Sequence, residues 1–337
     1  MFSRPFRWPR VDRYLLLLIA TVALAALLPA RGAFTSVADG AVTVAVALLF
    51  LLYGARLAPE AIWAGLTHWR LQALVFASTF VLFPLIGLAT AAATAPFLPA
   101  PAVTGLLFLS LLPSTVQSSI AFTSIARGNV PAALCSASLS NLVGTLLTPL
   151  LVAQLMPAVS GGVSLAALEE IAVQILLPFV AGQLLRPLIG QWLLRHPKLT
   201  ATVDRGSVLV VVYAAFSAGM VAGIWTQVSV VDLVAIVAIA SVMLALVLFA
   251  TRAASRALGF SKEDEIAIVF CGSKKSMASG IPMAAILFPA ASVGLIVLPL
   301  MLFHQIQLFV CAVLARRYAE RTDTPAPAPS PAAVTGS

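Results

Sequence analysis

From Tyr14 to Arg316 the chain is dominated by apolar runs long enough to cross a hydrocarbon layer. Such a layer is roughly 30 Å thick and takes about 17 to 25 helical residues to span. Ten runs are predicted, over 14–30, 37–55, 70–93, 102–126, 130–156, 166–188, 204–226, 231–251, 264–288 and 291–315. Inside lipid each backbone N–H and C=O must be satisfied within its own segment, so runs of this length form helices. Composition agrees, with 61% of the 337 residues hydrophobic, 9% charged and a mean hydropathy of +1.04, which excludes soluble, fibrous and disordered classes. The expected class is an all-α polytopic membrane protein. A basic start (Arg4, Arg7, Arg10, Arg13) before an apolar run is also the signature of a signal peptide. The many further spans favour an uncleaved first helix.

The net charge of +8 follows topology rather than a nucleic-acid partner. Of the 20 Lys and Arg, 17 fall in the N-terminus, in or near the loops after spans 2, 4, 6 and 8, and in the C-terminal Arg316, Arg317 and Arg321. The loops on the other side carry only Arg31. This asymmetry predicts both termini in the cytoplasm of an inner-membrane, multi-pass protein, with anionic lipid as the partner of the basic loops. Cys135, Cys271 and Cys311 sit in separate apolar segments without metal-ligand spacing, so they read as small core residues and no cofactor is expected. The expected organisation is a basic cytoplasmic N-terminus (1–13), a first five-helix repeat (14–156), a second (157–316) and a disordered Pro/Ala-rich cytoplasmic tail (317–337).

Five spans per half is an odd number, so a duplicated second half would enter the membrane inverted. The fourth span of each half then corresponds. The first contains LLPSTVQSSIAFTS, in which Pro113 precedes Ser114, Thr115, Gln117, Ser118 and Ser119. The second contains CGSKKSMASGIP, in which Gly272, Gly280 and Pro282 frame Ser273, Lys274, Lys275, Ser276 and Ser279. Proline removes a donor and glycine weakens a helix, so each midsection is predicted to unwind. Unwound backbone at membrane depth is tolerated only where it lines a cavity or is buried in protein, and paired interruptions point to a transporter's substrate site. A simple proline kink with back-bonded hydroxyls is the other reading.

Lys274 lies about eleven residues past Lys262, hence roughly 15 Å along a helix at 1.5 Å per residue. A charge at that depth costs at least about 2.5–3.5 kcal/mol. All twelve Asp and Glu read as lying in loops or at helix ends, with Glu169 and Glu170 nearest the interior. The ammonium groups therefore need carbonyls, hydroxyls, a wet cavity or an anionic ligand. Two readings stay open: the lysines bind an anion, or they bond to helix-end carbonyls and hold the breaks together. In span 5, Ser136, Ser140, Gly144 and Thr148 form a small-residue packing face beside Asn141. His304, Gln305 and Gln307 form a further polar cluster in span 10, of which His304 is a candidate for the site.

These residues, together with Ala126-Arg127-Gly128-Asn129, the Leu146-Leu147-Thr148-Pro149 stretch, FCGSKKS and SGIPMA, resemble the bile acid:sodium symporter family, and most closely its SBF-like branch. The resemblance covers nearly the whole chain. It implies a panel of spans 1, 2, 6 and 7, a core of spans 3–5 and 8–10, and broken spans 4 and 9 that cross. Carried over one residue at a time, the family's Ser-Asn sodium ligands fall on Ser118 and Ser119, and its two span-5 hydroxyls on Ala133 and Ala137. Its Glu-x-Gly-x-Gln-Asn pattern falls on Phe270, Gly272, Lys274 and Lys275. The acidic ligand is thus a phenylalanine and the amides are lysines, so sodium coupling is not expected and coupling to protons becomes available.

The expected function is secondary active transport of an organic anion by alternating access. The expected solute and ion site comprises Ser114, Gln117, Ser118, Ser119, Asn141, Ser273, Lys274, Lys275, Ser276 and His304. The alternative is a regulatory or scaffold membrane protein on the same fold. A Ser/Lys hydrolase is a further rival, but the chain carries no GxSxG or HExxH signature, and no enzymatic activity is expected.

Overall fold

The computed structural model describes residues 13–56, 68–156, 172–223, 226 and 228–321, and among them it is helical throughout, with no strand. Helix α1 spans Arg13–Leu27 and α2 Ala33–Arg56. Helix α3, Trp69–Thr94, passes through a π-turn at Ser78–Leu82. Next come α4 at Ala100–Leu111, α5 at Val116–Ile125 and α6 at Val130–Leu155. Then follow α7 at Leu177–Arg195, entered through a π-turn at Ala172–Leu176, α8 at Pro197–Val221 and α9 at Val230–Ala257. The last three are α10 at Lys262–Gly272, α11 at Met277–Leu287 and α12 at Ala290–Ala319.

Among the described residues, seven helices, α2, α3, α6, α7, α8, α9 and α12, are long and apolar enough to cross a membrane. An eighth span forms if α4 and α5, bent by 62° at their break, are taken as one. Helix α1 is apolar but only 15 residues long.

Several helix ends differ from the sequence reading, among them α7, which runs to Arg195, and α9, which runs to Ala257; two of the differences bear on the site. Helix α8 starts at Pro197 rather than at 204, because proline at the first helical position has the φ a helix needs and lacks only an N–H that would be unpaired there. Asp204 therefore lies two turns inside a helix, not at its end. Helix α12 runs on to Ala319, past 316, and Arg321 beyond it bonds to the Ala126 carbonyl at 2.8 Å and to Glu263 at 2.9 Å. Arg4, Arg7, Arg10, Glu169, Glu170 and the tail from 322 lie outside the described residues.

Helix α2 packs along α7 and α8, and α1 lies on α8. Gly54 faces the Phe179 carbonyl and Gly182 the Leu51 carbonyl, so α2 and α7 approach backbone to backbone. In the remaining group α4 packs on α3 and α12, α5 on α6 and α12, and α10 on α9, α6 and α3. Helix α8 also touches α11 and α12, which joins the two groups.

Candidate functional site

The α4–α5 break is generated by Pro113. Its missing N–H ends α4, and the next donor, Ser114 N–H, turns to Ser140 Oγ on α6 at 3.0 Å. The Ser110 carbonyl thereby loses its usual i+4 donor. The Leu111 carbonyl accepts from Thr148 Oγ1 at 2.9 Å, and Gly144 leaves room for the proline ring, against which any Cβ would collide. The small-residue face of α6 is thus the seat of the first break.

A third orphan carbonyl arises in α3. Phe83 N–H bonds to Ser78 O rather than to Thr79 O, and Pro84, next in line, has no N–H. The π-turn therefore leaves the Thr79 carbonyl open.

Lys275, in the α10–α11 break, collects these groups. Its Nζ donates to Thr79 O at 2.9 Å, Ser110 O at 2.7 Å and Leu112 O at 2.7 Å. An ammonium has three donors, so all are used. The Phe83 ring lies 4.2 Å from the same Nζ, a cation–π contact worth about 2 kcal/mol when desolvated. Gln307 of α12 clamps the Lys275 peptide, accepting from its N–H at 2.9 Å and donating to its carbonyl at 3.0 Å. The remaining amide proton of Gln307 points to His304 Nδ1 at 2.9 Å, which makes Nδ1 the acceptor and leaves the ring proton on Nε2.

Lys274 is held more loosely. Its Nζ donates to Ser118 O at 2.7 Å and lies 4.1 Å and 5.2 Å from the rings of Phe122 and Phe270. Both lysines are 0% exposed. The breaks also bond directly: Ser276 N–H donates to Pro113 O at 2.9 Å, and Ser119 Oγ to Phe270 O at 3.1 Å.

A cavity of about 530 Å³ opens between these breaks and the α1–α2–α7–α8 group. On one wall are the first turn of α5 with Gln117 and Ser118, the first turn of α11 from Ser276 to Ser279, and Asn141 and His304. Asn141 Oδ1 accepts from Ser279 Oγ at 2.8 Å, and Ser276 Oγ caps α11 through Ser279 N–H at 3.2 Å. The opposite wall carries Tyr14, Tyr53, Arg56, Asp204 and Arg205. Arg56 Nη2 reaches both Asp204 oxygens at 2.9 and 3.0 Å.

Of the ten residues expected from sequence, Gln117, Ser118, Asn141, Ser276 and His304 therefore line one cavity. Ser114, Ser119, Ser273, Lys274 and Lys275 are fully buried outside its lining. Among the described residues, the contacts of the two ammonium groups are backbone carbonyls and aromatic rings. Where the family's acidic ligand would stand, Phe270 is packed between Phe122 and Tyr318, at 6.0 and 6.2 Å between ring centroids. Ala133 and Ala137 are buried beside Cys271. Arg56, Asp204 and Arg205 also line the cavity and were not among the expected residues, because the arginines read as topology and Asp204 as lying at a helix end. The available signal was His196-Pro197, which places Asp204-Arg205 inside a helix.

Interrupted helices bordering a cavity in an all-helical membrane protein are a pattern found in secondary transporters. The sequence matches the SBF-like CPA transporter family over residues 12–320, and the chain belongs to that family. It is 55% identical over 327 residues to an uncharacterized Pseudomonas aeruginosa protein, covering 97% of this chain and 98% of that one. It is 52% identical over 313 residues to YfeH of Escherichia coli K12, covering 93% and 94%. It is 28% identical over 285 residues to mouse sodium/bile acid cotransporter 7, covering 80% and 81%. The protein is thus a multi-pass membrane transporter of the bile acid:sodium symporter type.

Proposed function

We propose that this chain is a secondary active transporter of an organic anion, working by alternating access of the cavity between the α1–α2–α7–α8 group and the rest. The observation that carries the reading is that the first turns of both interrupted helices, α5 and α11, border one cavity together with Asn141. Their backbone N–H groups and helix dipoles favour an anion. In this reading the chain forms ten spans in two inverted five-helix repeats. Helices α4 with α5 and α10 with α11 are the fourth and ninth spans. Both termini face the cytoplasm of the inner membrane.

Solute contact then falls to Gln117, Ser118, Asn141, Ser276 and His304, while Lys274 and Lys275, with Ser114, Ser119 and Ser273, hold the breaks. Lys275 takes the charge-balancing place of a coupling cation toward the carbonyls, which supports transport independent of sodium. Coupling to protons falls to Lys274, whose ammonium has one carbonyl partner.

The test is uptake of labelled organic acids into proteoliposomes. At least one should accumulate above empty vesicles, with Asn141→Leu reducing it in a folded protein. Lack of uptake of every acid by folded protein would favour the scaffold alternative. For orientation, a cysteine at position 100 should label from outside and one at position 198 should not. Both sites are exposed, whereas Thr200 is buried, as are the three native cysteines.

A further inference from the structure

The carboxylate, guanidinium and imidazole side chains of the cavity wall are those of Arg56, Asp204, Arg205 and His304. Asp204 is 8% exposed, and both of its oxygens accept from Arg56. Arg56 is further fixed by donating from Nε to Leu52 O at 3.1 Å and by lying 5.5 Å from the Tyr53 ring. Gln307 Nε2 lies 2.9 Å from His304 Nδ1. Arg56 is thus matched by Asp204, and Arg205 is the second guanidinium of the wall.

Arg205 is exposed along the cavity, and its guanidinium stacks 5.4 Å from the Tyr14 ring. No carboxylate among the described residues lies within ion-pair distance of it. It sits two turns inside α8 and lines the cavity. A guanidinium has only donors, in a fork that fits an oxyanion bidentately. Leu134, Leu142, Phe179, Val208, Met277 and Leu308 supply apolar surface between the two polar walls.

We infer that Arg205 is the specificity-determining residue of the cavity, taking the oxyanion of an amphipathic solute whose apolar body lies on those side chains. This rests on the transporter reading for its purpose, but binding alone can test it. The probes are monocarboxylates of graded size, from benzoate to cholate, each beside its methyl ester. Thermal shift of the full chain in lipid-free detergent is the readout. Some of the acids should stabilise wild type and their esters should not. Arg205→Gln should weaken acid binding about tenfold to a hundredfold, the scale of one charged hydrogen-bonded contact. Arg205→Lys should fall between, and both variants should unfold, without ligand, near the wild-type temperature.

The inference is overturned by esters binding as well as acids, by acid binding that survives Arg205→Gln, or by no acid binding to wild type. It is equally overturned if phosphatidylglycerol, not the acids, stabilises wild type through Arg205, because the arginine then serves a lipid headgroup. The two readings fail separately. An acid bound through Arg205 but not moved in proteoliposomes sinks transport alone, and uptake whose KM is unchanged by Arg205→Gln sinks this assignment alone.

Discussion

The two breaks look alike in sequence but have opposite chemistry. The α4–α5 break exports acceptors: with Pro113 in place, the carbonyls of Ser110, Leu112 and Pro113 lack helical donors and accept from the other break. The α10–α11 break exports donors, Lys275 Nζ and Ser276 N–H, and Gln307 takes care of its own peptide groups. Each break thus satisfies groups the other leaves open, which is how unwound backbone persists away from water. The comparison also separates two adjacent lysines. Lys275 has three carbonyls that depend on it. Lys274 bonds one carbonyl inside the regular helix α5, which has its own helical donor.

The largest effect should come from removing the donor side. Lys275→Met keeps the stem and deletes the ammonium, leaving three buried carbonyls unpaired. At roughly 1 kcal/mol or more each, the loss is about 3 kcal/mol or greater. Thermal unfolding in detergent should show a large fall or no stable protein. A variant melting with wild type would mean that the breaks do not depend on each other.

Next comes the acceptor side. Gly144→Ala puts a methyl group against the ring of Pro113. Overpacking of this kind costs about 1–3 kcal/mol, and the displacement would move the Ser110 and Leu112 carbonyls together. The double variant with Lys275→Met should therefore be less destabilised than the two single losses added, because both disrupt one contact set. Strict additivity would separate the packing of Pro113 from the lysine cage.

Lys274→Met should be milder, within about 1 kcal/mol of wild type, since exchanging a buried charge for an apolar side chain is often neutral when no partner is left unpaired. A loss as large as that at Lys275 would show that the Phe122 and Phe270 rings, rather than carbonyls, decide how the pair is held.

The breaks themselves were legible beforehand, but not their asymmetry. Pro113, Gly272 and the flanking serines marked both breaks, and the four-residue spacing of Ser136, Ser140, Gly144 and Thr148 marked the face on which one of them rests. The partners of the lysines were not legible, because they are backbone carbonyls on α3 and α4 and a carbonyl has no letter in a sequence. Only the Thr79 case left a trace, through Pro84, and reading it requires knowing that α3 resolves the missing donor by a π-turn. Arg205 was hidden differently: a basic residue near a predicted loop reads as topology until the helix start is fixed at Pro197.

The smallest expected effect is that of sodium. The family's carboxylate position holds Phe270, ringed by Phe122 and Tyr318, and its hydroxyl positions hold buried Ala133 and Ala137. The carbonyls that could face an ion already have the Lys275 ammonium at 2.7–2.9 Å, and a fixed cation repels a mobile one. Uptake into proteoliposomes should therefore be unchanged when external Na⁺ is replaced by choline at constant pH. It should respond to an imposed pH gradient in wild type and lose that response in Lys274→Gln. A steep rise with Na⁺ would require oxygens outside the lysine cage. Ser140 and Asn141 are poorly placed to supply them, since their side-chain oxygens already accept from Ser114 and Ser279. The hydroxyls of Ser114 and Ser136 are buried with no hydrogen-bond partner among the described residues, so sodium dependence that disappears in Ser136→Ala would relocate the ion to α6 and leave the contrast between the two breaks intact.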